Sequence, residues 1–199
     1  MRRSAFVLSC ILLAAGAASA RAQVVPTATA RQVSVTAGGT ISIFQPDFAG
    51  VWSDRSPYYP VAQSSNYPLF GAGAYVDVKL SRWIQLEAEG RWQRFNQYAN
   101  IYQDNYLAGP RVPVYHFWKA AVYGKVLGGF SNMNFGTLYG QPAGHGRFTD
   151  IAFGGGMDVK LTRRLSIRAL DVEYQYWPEW GNSTLSPYGA SVGIGYRVF

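Results

Sequence analysis

The sequence predicts an all-β chain, an eight-stranded antiparallel transmembrane β-barrel of up-and-down meander type, preceded by an N-terminal signal peptide. Three observations predict it. Apolar and polar residues alternate over eight segments between Val33 and Phe199, the period of strands with two unlike faces. The composition is 48% apolar and 16% aromatic but only 15% charged, with 22 Gly in 199 residues, well under the quarter or so of charged residues found in soluble domains. No apolar run after residue 23 approaches the length of a membrane helix, which needs about 20 residues. A chain that spans lipid without helices must close its strands, because an open edge leaves backbone groups unsatisfied there. The mean hydropathy of −0.06 is too polar for a bundle of membrane helices and suits faces that average out.

The first segment reads as an export signal. Arg2 and Arg3 give a positive start, Ala5 to Ala15 is apolar apart from Ser9 and Cys10, and Ala18-Ser19-Ala20 and Ala20-Arg21-Ala22 both fit a cleavage site. The run is too short to cross about 30 Å of hydrocarbon, so cleavage after Ala22 is expected. Cys10 is followed, not preceded, by small residues, which is not a lipoprotein arrangement. The mature chain is then expected to have no cysteine, no disulfide and no thiol metal site. Losing Arg2, Arg3 and Arg21 lowers Lys+Arg from 18 to 15 against 11 acids. That balance of +4 is too mild to suggest nucleic acid and suits a solvated surface or anionic lipid head groups.

Residues 23–32, with Pro26 and several small residues, read as a flexible leader, and residues 33–199 as the barrel. The first strand is Val33 to Phe44, and residues 45–69, with four prolines, form a loop. The second strand, Phe70 to Leu80, sets Ala72, Ala74, Val76 and Val78 against Tyr75, Asp77 and Lys79; Ser81-Arg82 turns tightly into the third, Trp83 to Phe95. There Ile84, Leu86, Ala88 and Trp92 oppose Gln85, Glu87, Glu89, Arg91 and Gln93. The fourth, Ile101 to Val112, alternates poorly, with Tyr106, Ala108 and Val112 outward and Arg111 inward; Pro113 to Phe117 is read as its turn. The fifth, Trp118 to Phe130, sets Val122 and Val126 against Lys119, Tyr123 and Lys125, and residues 131–147 are read as a loop. The sixth, Phe148 to Leu161, alternates Ile151, Phe153 and Met157 with Asp150, Asp158 and Lys160 before the Thr162-Arg163 turn. The seventh, Arg164 to Trp177, changes phase at Leu170-Asp171, where one extra residue would make a β-bulge. The eighth, Pro187 to Phe199, sets Tyr188, Val192, Ile194 and Tyr196 against Ser191, Gly193 and Arg197.

Short connections at residues 81, 113 and 162 alternate with long ones after strands one, five and seven, the connection after strand three, near Asn96 to Asn100, being the exception. Outer-membrane barrels pair short periplasmic turns with long external loops, and eight strands return both chain ends to the periplasmic side. Charge falls on one predicted face: Asp77, Lys79, Glu87, Glu89, Arg91, Lys119, Lys125, Asp158, Lys160, Arg168, Asp171, Glu173 and Arg197. Unpaired charge is too costly in a dry core, so these are assigned to a lumen ion-pair network. Trp83, Trp92, Trp118, Tyr176, Trp177, Tyr188 and Tyr196 near strand ends resemble interfacial girdles. A soluble secreted sandwich would also hold alternating strands, but not apolar outer faces on nearly every one.

The segments Ile84 to Trp92, Tyr106 to Arg111, Asp171 to Trp177 and Gly193 to Phe199, in that order, resemble the OmpA-like outer-membrane β-barrel domain over residues 33–199. The resemblance implies location in the cell outer membrane. It also implies contact with outer-membrane lipids and lipopolysaccharide, and delivery by periplasmic chaperones to the barrel assembly machinery, which reads a C-terminal signal, here Tyr196 and Phe199. The outward series Ile194, Tyr196 and Val198 runs one residue out of the family's usual phase relative to a final Phe. No residues are left for the peptidoglycan-binding domain of larger relatives, so cell-wall anchoring by that route is not expected; the barrel is expected to be a monomer.

An interior of eight strands is just filled by side chains, so the inward charges should pair with one another. The expected function is a non-enzymatic structural role in the cell envelope, with loops 45–69 and 131–147 as contact surfaces. The alternatives are a narrow, gated, porin-like pore and a rim-located lipid-modifying enzyme. His116 falls on a periplasmic turn and His145 on an external loop. Two His without Cys make no metal-ligand cluster, Gly154-Gly155-Gly156 lacks the strand-to-helix context of a phosphate loop, and no cofactor is expected.

Overall fold

The computed structural model describes residues 33–46, 68–97, 100–135, 137–138, 141–142, 145–180 and 183–198. The expected signal peptide and leader, residues 47–67 of the first loop, and Phe199 lie outside them. Eight long strands form the wall: β1 (Ser34–Gln45), β2 (Leu69–Lys79), β3 (Gln85–Gln93), β4 (Ile101–Phe117), β5 (Ala120–Phe135), β6 (His145–Lys160), β7 (Leu165–Trp180) and β8 (Tyr188–Arg197). Each pairs antiparallel with its sequence neighbours. β1 pairs with β8 from Thr36↔Arg197 to Gln45↔Tyr188, which closes the barrel. A short ladder of Thr137–Leu138 with Gln141–Pro142 extends the β5–β6 hairpin, and Ser183–Leu185 pairs with the end of β7.

The pleat sorts the residues. Ile41 (63% exposed), Phe153 (50%) and Ile194 (59%) stand on the outer wall, whereas Arg168, Gln93 and Asp150 are fully buried inside. That is the inverse of a soluble fold, and a continuous exposed apolar surface of this extent requires a partner phase. Lipid supplies it.

The tight turns at Ser81 and Thr162 share one design. Ser81 Oγ accepts from the amides of Trp83 (3.1 Å) and Ile84 (3.0 Å), and Thr162 Oγ1 accepts from those of Arg164 (3.2 Å) and Leu165 (2.9 Å). A hydroxyl at the turn's start thus satisfies amides that the ladder cannot reach. Glycine makes room for the large inward rings. A Cβ on Gly38 would meet the Tyr75 ring at 2.5 Å, and one on Gly195 would meet its hydroxyl at 2.5 Å, so Tyr75 lies across both.

Three expectations need correction. Residues 113–117 continue β4 instead of forming a turn. The ladder to β5 slips between Pro113 and Tyr115, leaving Val114 as an extra residue; such a bulge accommodates a proline that has no amide to donate. The reversal falls at Trp118-Lys119, with Trp118 at φ 50°. The β5–β6 hairpin is longer than expected, since β5 runs to Phe135 and β6 starts at His145. The bulge of β7 is present, one residue earlier than expected: Asp158 pairs with Arg168 and Met157 with Leu170, so Ala169 is the unpaired residue.

Candidate functional site: the lumen and its rims

The inward positions of β2 to β7 fill the turn-side half of the lumen with charge. Arg168 Nη1 lies 3.1 Å from Glu87 and 3.2 Å from Asp171, and its Nη2 lies 3.0 Å from both Asp77 and Glu87. Lys125 Nζ contacts Glu87 at 3.0 Å, Glu89 at 3.2 Å, Asp171 at 2.8 Å and Glu173 at 3.2 Å. Arg91 forks onto Glu173 at 2.9 and 2.5 Å and reaches Glu89 at 2.5 Å. Arg111 bonds Asp77 at 2.6 Å, Glu87 at 3.4 Å, and Asp158. The Arg168 and Arg111 guanidinium groups lie 3.7 and 3.5 Å from the ring centroids of Tyr75 and Tyr123, a favourable cation–π arrangement in a dry site. The side chains of Lys125, Arg168 and Glu87 are 0% exposed.

Above this tier, toward the long connections, lies one of amides and hydroxyls gathered around Asp150. Asn105 Nδ2 donates to Ser131 Oγ (2.6 Å) and Gln175 Oε1 (3.0 Å), Ser131 donates to Asp150 (2.5 Å), and Gln93 donates to Ser42 (2.7 Å). Gln175 Nε2 joins the tiers through Glu173 (2.9 Å). Met133, Phe148, Trp177 and Leu185 then form an apolar cap, with the Phe148 and Trp177 rings stacked at 5.5 Å. At the outer rim Arg94 forks onto Asp104, at 2.8 Å through Nε, and these hydrogen bonds raise the Arg94 pKa.

Nine of the thirteen residues assigned by alternation meet in the charged tier, with Arg111 as a tenth member. Lys79, Lys119, Lys160 and Arg197 do not join it. All four are exposed at the turn end, because alternation reports the side a residue faces and not its depth. Arg111, inward by alternation, belongs to the network as well. Alternation alone did not mark out the tier around Asp150 or the cap. Their signal was the same phase carried further, through Gln93 after Arg91 and through Gln175 and Trp177 after Glu173. Trp177 is therefore buried, not a girdle residue, whereas Trp83, Trp92, Trp118, Tyr176, Tyr188 and Tyr196 are exposed.

Glu87, Glu89 and Asp171 converge closely enough to hold a cation, but Lys125 Nζ bonds all three and takes that position itself. Six carboxylates face four cations in the tier. Its lower edge, at Asp77 and Asp158, opens on a cavity of about 100 Å³ rimmed by Lys79, Lys160 and Arg197, whose charge offsets the acid surplus. His116 lines the same mouth, while His145 stands exposed at the opposite end.

A family model described as outer membrane protein beta-barrel domain matches residues 10–197. No curated protein sequence matches. Solved structures that share the fold include three outer-membrane barrels. The N-terminal β-barrel domain of Pseudomonas aeruginosa OprF has 13% identity and a TM-score of 0.51, with 83% of this chain and 99% of that one covered. OprG of the same organism has 10% identity and a TM-score of 0.55, covering 84% and 96%. Neisserial surface protein A has 10% identity and a TM-score of 0.51, covering 82% and 96%.

Proposed function

The chain belongs to the outer membrane protein beta-barrel domain family, and from that premise we propose that it is a sealed, non-enzymatic barrel serving the structure of the cell envelope. It resides in the outer membrane as a monomer whose apolar wall contacts lipid and lipopolysaccharide. Its external connections, 45–69 and 131–147, are the surfaces offered to partners. A cleaved signal over residues 1–22 takes it to the periplasm, where chaperones and the barrel assembly machinery insert it.

One observation carries this reading. Lys125 and Arg168 sit at the centre of the lumen with no exposed side-chain surface, each bonded to three or more carboxylates. An aqueous path would have to part these pairs, and leaving either partner unpaired in a buried setting costs about 3–5 kcal/mol. The experiment is planar-bilayer recording of the refolded mature chain, its closure verified by heat-modifiable migration. No unitary current steps are expected. Reproducible steps would replace the structural reading with a pore.

A further inference from the structure

The turn end of the barrel gathers six basic side chains, three of which, Lys79, Lys160 and Arg197, also face Asp77 and Asp158 across the mouth of the lumen. Lys79, Lys160 and Arg197 close their strands there, and Arg82, Lys119 and Arg163 occupy the turns; all six are exposed. Among the described residues none of them makes an ion pair, and the acids nearest that end, Asp77 and Asp158, are already held by Arg111 and Arg168. Backbone pairing brings the elements together: the Lys160 amide donates to the Lys119 carbonyl (2.9 Å), and that of Arg197 to the Arg164 carbonyl (2.7 Å).

Lys119, Lys160, Arg163 and Arg197, with Leu161 and Thr162, line a shallow, open hollow on the surface that has no acidic residue in its wall. Four like charges around one hollow repel one another, and an anion in the hollow reverses the sign of that interaction. The depth of the cluster says what carries the anion. Lys119 Nζ stands 4.9 Å from the ring centroid of Trp118, Arg82 stands 5.0 Å from that of Trp83, and Arg164 bonds the Tyr196 hydroxyl at 3.2 Å. Trp118 is 85% and Trp83 61% exposed. Amphipathic rings of this kind settle at the boundary between hydrocarbon and head groups. The cations beside them stand at head-group depth, on the periplasmic leaflet that the short turns face.

We propose that this basic hollow binds the phosphodiester head group of an anionic glycerophospholipid of the periplasmic leaflet. Phosphate oxygens take the four cations, and the acyl chains lie along the apolar wall beside Leu161. The proposal rests on the outer-membrane placement above but not on whether the lumen conducts, so the two readings fail separately.

Native mass spectrometry of the mature protein, refolded in a neutral detergent, tests it with three probes: dioleoyl phosphatidylglycerol, dioleoyl phosphatidylethanolamine and sodium phosphate. Phosphatidylglycerol is expected to be retained at least tenfold better than phosphatidylethanolamine. The K119Q/K160Q/R163Q/R197Q variant should fall to the phosphatidylethanolamine level while keeping heat-modifiable migration. If that variant does not fold, the single R163E change should still lower retention, while R147Q at the opposite rim should not. Equal retention of the two lipids, or undiminished retention by every folded variant of the hollow, overturns the proposal. Displacement of phosphatidylglycerol by equimolar phosphate would make it a site for free anions and overturn the lipid assignment.

Discussion

At the scale of single residues, the lumen is governed by the cost of leaving a charge alone. Arg91 and Glu173 are 2% and 1% exposed and bonded through two contacts. Replacing Arg91 by Met leaves Glu173 and Glu89 to share Lys125, and a buried pair broken on one side costs about 3–5 kcal/mol. Replacing both by Met removes the charge together with its need for a partner. The double variant should therefore be more stable than the two single losses added together, by a coupling of about 1–3 kcal/mol. Guanidinium unfolding from lipid vesicles measures all four corners of this cycle. Additive losses would mean that Lys125 and Gln175, which also reach Glu173, satisfy it without Arg91.

At the scale of elements, β7 decides which charges meet. Arg168 and Asp171 are three residues apart, a spacing that puts them on opposite faces of a regular strand. The bulge at Ala169 turns both inward, and they bond at 3.2 Å. Deleting Ala169 shortens the spacing to two residues and leaves every inward residue of β7 inward, so the fold should survive. Heat-modifiable migration of the deletion variant checks this, and loss of the folded band would show that the bulge shapes the wall in a way that phase alone does not capture. The same strand shows what the sequence makes legible. Its change of phase was visible at Leu170-Asp171, since the lipid-facing series Leu165, Ile167 restarts at Val172, Tyr174. Strand ends were not visible. Residues 131–135 carry Ser and Asn where β5 rises toward its long connection, and there apolar contrast disappears although the ladder continues. Pro113 reads as a turn residue and sits instead at a bulge. Depth was equally hidden, which is why Lys79, Lys119, Lys160 and Arg197, inward by phase, stand at the rim in the fold.

At the scale of the whole molecule, two seals lie in series along the barrel axis. The apolar cap of Met133, Phe148, Trp177 and Leu185 closes the end that carries the long connections. Beneath it, ten charged side chains lock β2 to β7 from within. The seals differ in kind. The cap excludes water by packing, so it weakens in proportion to the volume removed, whereas the charged tier resists opening because each broken contact leaves an unpaired charge. Replacing Trp177 by Ala removes a fully buried indole stacked on Phe148 and should lower stability by about 3–5 kcal/mol. It should still yield no current in planar bilayers, because the tier around Arg168 and Lys125 remains closed. Unitary steps from Trp177→Ala alone would show that the cap is the gate and the ion-pair tier is permeable.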